Sequence, residues 1–309
     1  MKVPQKVTLL EVGLRDGLQN EQQILDASDK LSLITELEKA GHRYIQVGSF
    51  VHPKAVPQMA DTDEVFAQLI QTPGIEYSAA PIPNLRAIER AIACNCKNVR
   101  IAVSLSQAHN LKNFNKTPQE TLLGFKDIIQ RAKECDVNVG AGLMMAFGSP
   151  WEGDIPLSEI RDMIDLYISL GLVDEINLAD TSGMGTPDRV YQICSTLLSE
   201  YPQIKNWTLH LHNTRGTGLA NMLAGMLAGV TRYETAFAGL GGCPFVPGAA
   251  GNIATEDAAE MLSRMGIETG LDVDRLITIG RQVEQLVTHT GNSCVLRAGR
   301  SNAIFNVNH

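Results

Sequence analysis

The sequence predicts an α/β fold, a (β/α)8 TIM barrel with a C-terminal helical extension, and three observations predict it. Short apolar runs alternate with helical patterns, the alternation repeats eight times, and no Gly-x-Gly-x-x-Gly follows the first run. Strands separated by helices pair in parallel through right-handed crossovers. Eight such units suggest a closed barrel over an open sheet, and the missing glycine fingerprint weighs against a dinucleotide-binding fold.

The expected strands are 7–13, 44–50, 77–81, 98–105, 137–146, 175–179, 207–212 and 233–239. Between them, helical patterns cover 28–40, 84–94, 118–135, 157–170, 187–200 and 218–228. In the first helix Leu31, Ile34 and Leu37 share one face, and Gly41 closes it. From Thr255 onward the chain supplies the last barrel helix and one further helix over 272–288, with no linker-like break. The expected organisation is one domain over 1–309, with the barrel at about 5–265 and the helical extension at about 266–309.

A chain of 309 residues with 44% hydrophobic and 19% charged residues has the composition of a globular protein. A formal net charge of -8 gives no basic face for nucleic acid or an anionic membrane. No run of about 18 apolar residues is present, so no transmembrane helix is expected. Met1-Lys2-Val3-Pro4 runs almost directly into an apolar strand, which leaves no room for a leader in the sequence as given. The six cysteines, 94, 96, 135, 194, 243 and 294, follow no disulfide or zinc spacing, and a reducing cytoplasm fits them best.

In such a barrel, functional side chains gather at the C-terminal ends of the strands. The unusual polar residues are distributed that way. Arg15 and Asp16 end strand one, Ser49 ends strand two, and Asp180 and Thr181 end strand six; His210 and His212 end strand seven, and Cys243 and Asn252 follow strand eight.

His210-Leu211-His212 is the most informative triplet. Residues two apart on a strand share a face, so both imidazoles point into the barrel mouth while Leu211 packs outward. With Asp16 across the barrel they make a two-histidine, one-carboxylate set. Imidazole and oxygen donors without thiolate favour an octahedral ion, Mg²⁺ or Mn²⁺, and leave iron and zinc open. The plainer readings are a hydrogen-bonded histidine pair and an ordinary Arg-Asp-Gly turn. Ala238-Gly239-Leu240-Gly241-Gly242-Cys243-Pro244 is a tight loop, a place where backbone approaches a ligand, or a lid hinge. Cys243 at its apex is poorly placed for packing.

Four segments carry a resemblance to HMG-CoA lyases, a branch of the metallolyase barrels. They are Glu11-Val12-Gly13-Leu14-Arg15-Asp16-Gly17-Leu18-Gln19-Asn20-Glu21, Ser49-Phe50-Val51-His52-Pro53-Lys54-Ala55-Val56-Pro57-Gln58-Met59, the glycine loop ending in Cys243-Pro244, and Gly248-Ala249-Ala250-Gly251-Asn252-Ile253-Ala254-Thr255-Glu256-Asp257. The resemblance implies cleavage of 3-hydroxy-3-methylglutaryl-CoA to acetyl-CoA and acetoacetate, as in leucine catabolism, by a homodimeric enzyme that binds an acyl-CoA thioester. It implies Asp16, His210, His212 and Asn252 as metal ligands. It further implies Arg15 at the thioester carbonyl and its enolate, Cys243 in proton transfer, with His210 as a more constrained alternative, and Asn113 against substrate. Ser49, Asp180 and Thr181 are expected at the substrate, and Gln46 and Glu256 behind the metal ligands.

Four departures from the resembled pattern bear on substrate and activity. Gln46 stands where the lyases carry a glutamate, Asn213 where they carry an aspartate, and Arg215 where they carry an aromatic residue; Gly148-Ser149-Pro150 lacks the cysteine that often precedes this proline. Gln46 keeps shape and hydrogen bonding but neither the charge nor the ability to take a proton. Arg215 either meets a carboxylate of an altered substrate or is a solvated loop charge. The alternatives are therefore the same chemistry on another 3-hydroxyacyl-CoA or hydroxy acid, and a catalytically impaired metal-binding homologue. A Claisen synthase or a biotin-dependent carboxyltransferase fits the cysteine-bearing loop less well.

Overall fold

The computed structural model describes residues 2–242 and 251–301. Eight parallel strands close into a barrel in sequence order: β1 (Thr8–Glu11), β2 (Tyr44–Gly48), β3 (Glu76–Ala79), β4 (Asn98–Ser104), β5 (Asn138–Met144), β6 (Glu175–Asp180), β7 (Asn206–Leu211) and β8 (Arg232–Thr235). β8 returns to β1 with Leu10 opposite Glu234 and Glu11 opposite Thr235, which closes the ring. The (β/α)8 barrel expected from the alternation is the fold observed.

The helices on the outside are α1 (Ala27–Lys39), α2 (Thr62–Gln68), α3 (Leu85–Ala93), α4 (Gln107–Phe114), α5 (Pro118–Leu123), α6 (Lys126–Glu134), α7 (Leu157–Ser169), α8 (Pro187–Glu200), α9 (Gly218–Ala228) and α10 (Thr255–Arg264). Two more, α11 (Val273–Val287) and α12 (Cys294–Ala298), form the C-terminal part. α1 shows the local logic. Asp26 caps it by accepting from the Asp29 N–H at 2.9 Å, Leu33, Ile34 and Leu37 are its buried face, and Gly41 turns the chain out at φ 101°.

The core lies between barrel and helices. On β4, Val99, Ile101 and Val103 point outward and are buried against helices, while Arg100 and Ala102 face the lumen. This alternation gives the barrel a polar interior in place of the usual branched layers.

Two expected elements differ. The continuous helix over 118–135 breaks into α5 and α6, because Gly124 is a poor helix former and Phe125 turns its ring into the core. The eighth strand ends at Thr235 instead of running to 239. Buried carboxylates take the backbone N–H groups a longer strand would use: Glu11 accepts from Phe237 at 3.0 Å, and Glu256 from Ala238 at 2.9 Å. Residues Phe237–Gly239 make a 3-10 turn, with Ala238 at φ 53°. α2, α4, α12 and a π-helical turn at Gly13–Gly17 carry no clear signal in the sequence. Among the described residues no helix is long and apolar enough to cross a membrane.

Candidate active site

The π-helical turn after β1 presents Arg15 and Asp16 at the barrel mouth. His210 lies on β7, and His212 follows the strand end, where its backbone bridges that of Asn252. The sequence separation of 236 between Asp16 and Asn252 is thus closed by the fold, and Asn252 Nδ2 donates to Asp16 Oδ2 at 2.8 Å. Gly241 has to be glycine here: its φ is 105°, and a Cβ would lie 2.6 Å from Asn252 Nδ2 and 3.0 Å from the Asp16 carbonyl.

Donor atoms of Asp16, His210 and His212 all fall within 4.8 Å of one another. The two Nε2 atoms are 2.9 Å apart, and His210 Nε2 is 3.7 Å from Asp16 Oδ2. Neighbouring ligands of an octahedral ion at about 2.1 Å are ~3 Å apart, so the set fits such an ion. Asn252 Oδ1 is buried with no hydrogen-bond partner among the described residues, while its Nδ2 is used by Asp16 and the Leu240 carbonyl. An unpartnered buried acceptor beside three convergent donors is the arrangement a fourth ligand requires.

Protonation states agree with that fit. Burial by itself would raise the Asp16 carboxyl, but Arg15 and the two imidazoles outweigh it and hold it at about 2. Burial pushes the His212 imidazole down to about 4, with the neighbouring His210 acting in the same direction. A carboxylate and a neutral imidazole are the forms that bind metal.

Arg15 is fixed from two sides. Its Nε donates to Gln46 Oε1 at 2.5 Å, and Nη1 reaches Asp16 Oδ1 at 2.5 Å. Arg15, Asn113 and Thr181 line a cavity of about 300 Å³ together with the metal-site side chains. Asn113 Nδ2 lies 3.0 Å from His109 Nε2, and Thr181 Oγ1 accepts from the Met145 N–H at 3.2 Å.

Other expected residues stand elsewhere. Ser49 is buried outside the cavity lining and donates to the Pro81 carbonyl at 3.2 Å. Asp180 is turned into its own loop, where Oδ1 accepts from Met184 and Gly185 N–H at 3.0 Å; burial raises its carboxyl to about 6. Glu256 is buried beneath the glycine loop and touches none of the convergent donors. Arg215 donates to the Ser182 and Gly183 carbonyls at 2.9 Å, clasping the loop after β6, and Asn213 Oδ1 accepts from the Gly218 N–H at the start of α9. Cys243 lies outside the described residues, although the preceding Gly242 lines the cavity.

Three titratable lining residues belong to none of the motifs. His109 is buried on α4 and stacks on Trp151 with ring centroids 5.9 Å apart. Arg100 and Glu234 meet in the barrel lumen, and Glu234 Oε2 lies 2.7 Å from His210 Nδ1. Their signal in the sequence is the alternation of β4 and β8, in which charged residues occupy inward positions between apolar outward ones.

A closed parallel barrel with convergent His, His and Asp donors and a fixed arginine at its C-terminal mouth defines a class: barrel proteins built to hold a metal beside a substrate cavity. The family model HMGL-like matches residues 6–283. The chain belongs to the HMGL-like family. It is 37% identical to the hydroxymethylglutaryl-CoA lyase YngG of Bacillus subtilis, covering 92% of this chain and 94% of that protein. It is also 37% identical to the (R)-citramalyl-CoA lyase of Chloroflexus aurantiacus, over 92% of this chain and 95% of the relative. Among solved structures, an HMG-CoA lyase from Acinetobacter baumannii in complex with coenzyme A and 3-methylmalate superposes with a TM-score of 0.92, at 38% identity and 98% coverage of both chains.

Proposed function

We propose that this protein is a divalent-metal-dependent carbon–carbon lyase that cleaves 3-hydroxy-3-methylglutaryl-CoA to acetyl-CoA and acetoacetate. The observation that carries this reading is the convergence of Asp16, His210 and His212 beside Arg15, in a chain 37% identical to a hydroxymethylglutaryl-CoA lyase over nearly its full length. Mg²⁺ or Mn²⁺ suits the donors, with Asn252 Oδ1 as the fourth protein ligand.

When bound, the ion supplies Lewis acidity at the substrate hydroxyl and orients the bond to be broken. The chain's own residues do the rest. The C3 hydroxyl loses its proton, the C2–C3 bond breaks, C3 becomes the ketone of acetoacetate, and the electron pair enters the acetyl-CoA enolate. Arg15, held by Gln46 and Asp16, offers a preoriented positive charge to that enolate oxygen. A proton then returns to C2. Cys243 is assigned the proton transfers because it directly follows a cavity-lining residue. Asn113 and Thr181 contact the acyl portion; Ser49 and Asp180 shape the walls behind it.

The same reading takes the chain as one barrel domain with a helical extension, acting as a homodimer in the cytoplasm. The described cysteines 94, 96, 135, 194 and 294 are all free, which supports a reducing compartment. A second reading keeps the chemistry and changes the acyl group, since the citramalyl-CoA lyase is just as similar as YngG.

The test is acetyl-CoA release with Mg²⁺ or Mn²⁺ from a panel of 3-hydroxyacyl-CoA thioesters, run beside Gln46→Glu. Cleavage of 3-hydroxy-3-methylglutaryl-CoA is the expected result. Cleavage of citramalyl-CoA alone assigns the second reading, and turnover only in Gln46→Glu identifies an impaired homologue.

A further inference from the structure

Arg100 and Glu234 are the residues shared by the linings of two cavities. One is the substrate cavity at the C-terminal mouth. The other, of about 490 Å³, opens toward the N-terminal end of the strands and is lined by Glu76, Glu175 and Arg232 among others. The Arg100–Glu234 ion pair is therefore a partition across the barrel lumen. Arg100 Nη1 is directed at Glu234 Oε1, and Nη2 donates to Glu175 Oε1 at 2.9 Å. Gly140 and Gly142 of β5 lie alongside the Arg100 side chain, where a Cβ would stand in ordinary contact with it, 3.6 Å from Nε and 3.4 Å from Cδ.

A buried ion pair is by itself weak support for stability, and Arg100 already has Glu175 as a partner. What Glu234 does with its second oxygen is more telling. Oε2 lies 2.7 Å from His210 Nδ1, and His210 and Glu234 are register partners on adjacent strands, so their side chains leave the sheet side by side. Arg100 has only donors to offer, so the Glu234 carboxylate between it and the imidazole is an acceptor on both sides. His210 must then carry its proton on Nδ1. Its Nε2 lone pair is left facing His212 Nε2 at 2.9 Å and Asp16 Oδ2 at 3.7 Å.

We infer that Arg100 and Glu234 are positioning residues for the metal site, fixing the tautomer and ring orientation in which His210 Nε2 is available as a ligand. A carboxylate behind a metal-binding histidine raises its basicity and holds its direction, and losing such a partner costs about 10–100-fold in metal affinity. The inference rests on the metal site proposed above and deepens it. The pair touches the substrate only if the acyl group reaches the cavity floor, so its main effect is on metal affinity.

The test uses Mn²⁺ alone, titrated into the full-length protein and followed by electron paramagnetic resonance. Glu234→Leu, which leaves Arg100 paired with Glu175, and Arg100→Met combined with Glu234→Leu, which removes the pair as a unit, should each raise the Mn²⁺ Kd by about 10–100-fold. Long-range ¹H–¹⁵N correlation spectra of the metal-free wild type should show His210 protonated at Nδ1, with the signal assigned by comparison with His210→Gln. A folded double variant that binds Mn²⁺ as tightly as wild type overturns the inference. So does a wild-type His210 protonated at Nε2, a result that stands even where the variants fail to fold. Wild type that binds no Mn²⁺ at all refutes the proposed metal site instead.

Discussion

Arg15 Nε donates to Gln46 Oε1 at 2.5 Å, so a neutral amide holds the arginine whose opposite side is paired with Asp16. Gln46 is buried on β2, borders the lower cavity and is not among the residues that line the substrate cavity. Its role is to orient Arg15. Gln46→Leu should therefore lower kcat by about 10–100-fold, less than the ~10²–10³-fold for outright loss of a preoriented donor, while Mn²⁺ affinity stays near wild type. Gln46→Glu should keep Arg15 in place and retain more activity than the leucine variant. Steady-state kinetics beside Mn²⁺ titration separates the two effects, and equal losses of turnover in both variants would show that orientation is not what Gln46 provides.

Asn252 supplies the second prediction. Its Nδ2 is committed to Asp16 and Leu240, and its buried Oδ1 has no partner among the described residues. Asn252→Ala removes the proposed ligand and leaves Asp16 Oδ2 without that donor. Mn²⁺ binding should weaken by about 10–100-fold, measured by calorimetry. Unchanged affinity would assign Asn252 to shaping the glycine loop only.

The barrel was legible because its repeat is long and its connections regular, and Asp16, His210 and His212 were legible because a barrel concentrates function at strand ends. Asn252 required the family motif, since nothing in Gly251-Asn252-Ile253 marks an amide oxygen as a ligand. Arg100 and Glu234 carry no such mark for a physical reason: strands of a closed barrel normally bury branched side chains inward, whereas here a lumen-facing guanidinium is matched by Glu234 and Glu175 on other strands. Ser49 and Asp180 sit at strand ends as expected, yet the Ser49 hydroxyl and Asp180 Oδ1 are spent on nearby backbone, while Asp180 Oδ2 is buried without a partner among the described residues. Position on a strand indicates the end of the barrel but not the rotamer.

Cys243 follows Gly242, whose carbonyl accepts from Asn20 Nδ2 at 2.7 Å and which lines the substrate cavity. In the proposed mechanism the Cys243 thiol carries protons for bond cleavage and is not a metal ligand. Cys243→Ala should lower turnover by about 10²–10⁴-fold, the range for loss of a positioned proton carrier, with metal content intact by elemental analysis. Near-normal turnover would return the proton transfers to the histidines.

The last prediction concerns stability across pH and does not involve the metal site. Glu256 is fully buried under the glycine loop, accepting the Ala238 N–H; burial raises its carboxyl from 4.5 to about 8, with Glu11 and Asp257 adding to the effect. Glu11, equally buried, is raised to about 7. In both cases the folded protein retains a proton that the unfolded chain has released between these values. The folded state thus binds more protons over that range, and stability falls as pH rises. The contribution is fully present below about 4.5, the unfolded value, and is lost as pH passes through 8. Glu256→Gln keeps an oxygen for the Ala238 N–H and has no charge to bury. Its Tm relative to wild type should therefore be several degrees more favourable in alkaline than in mildly acidic buffer. Calorimetry across that span measures the difference, and a Tm offset that does not change with pH would mean that Glu256 is already ionised in the folded protein.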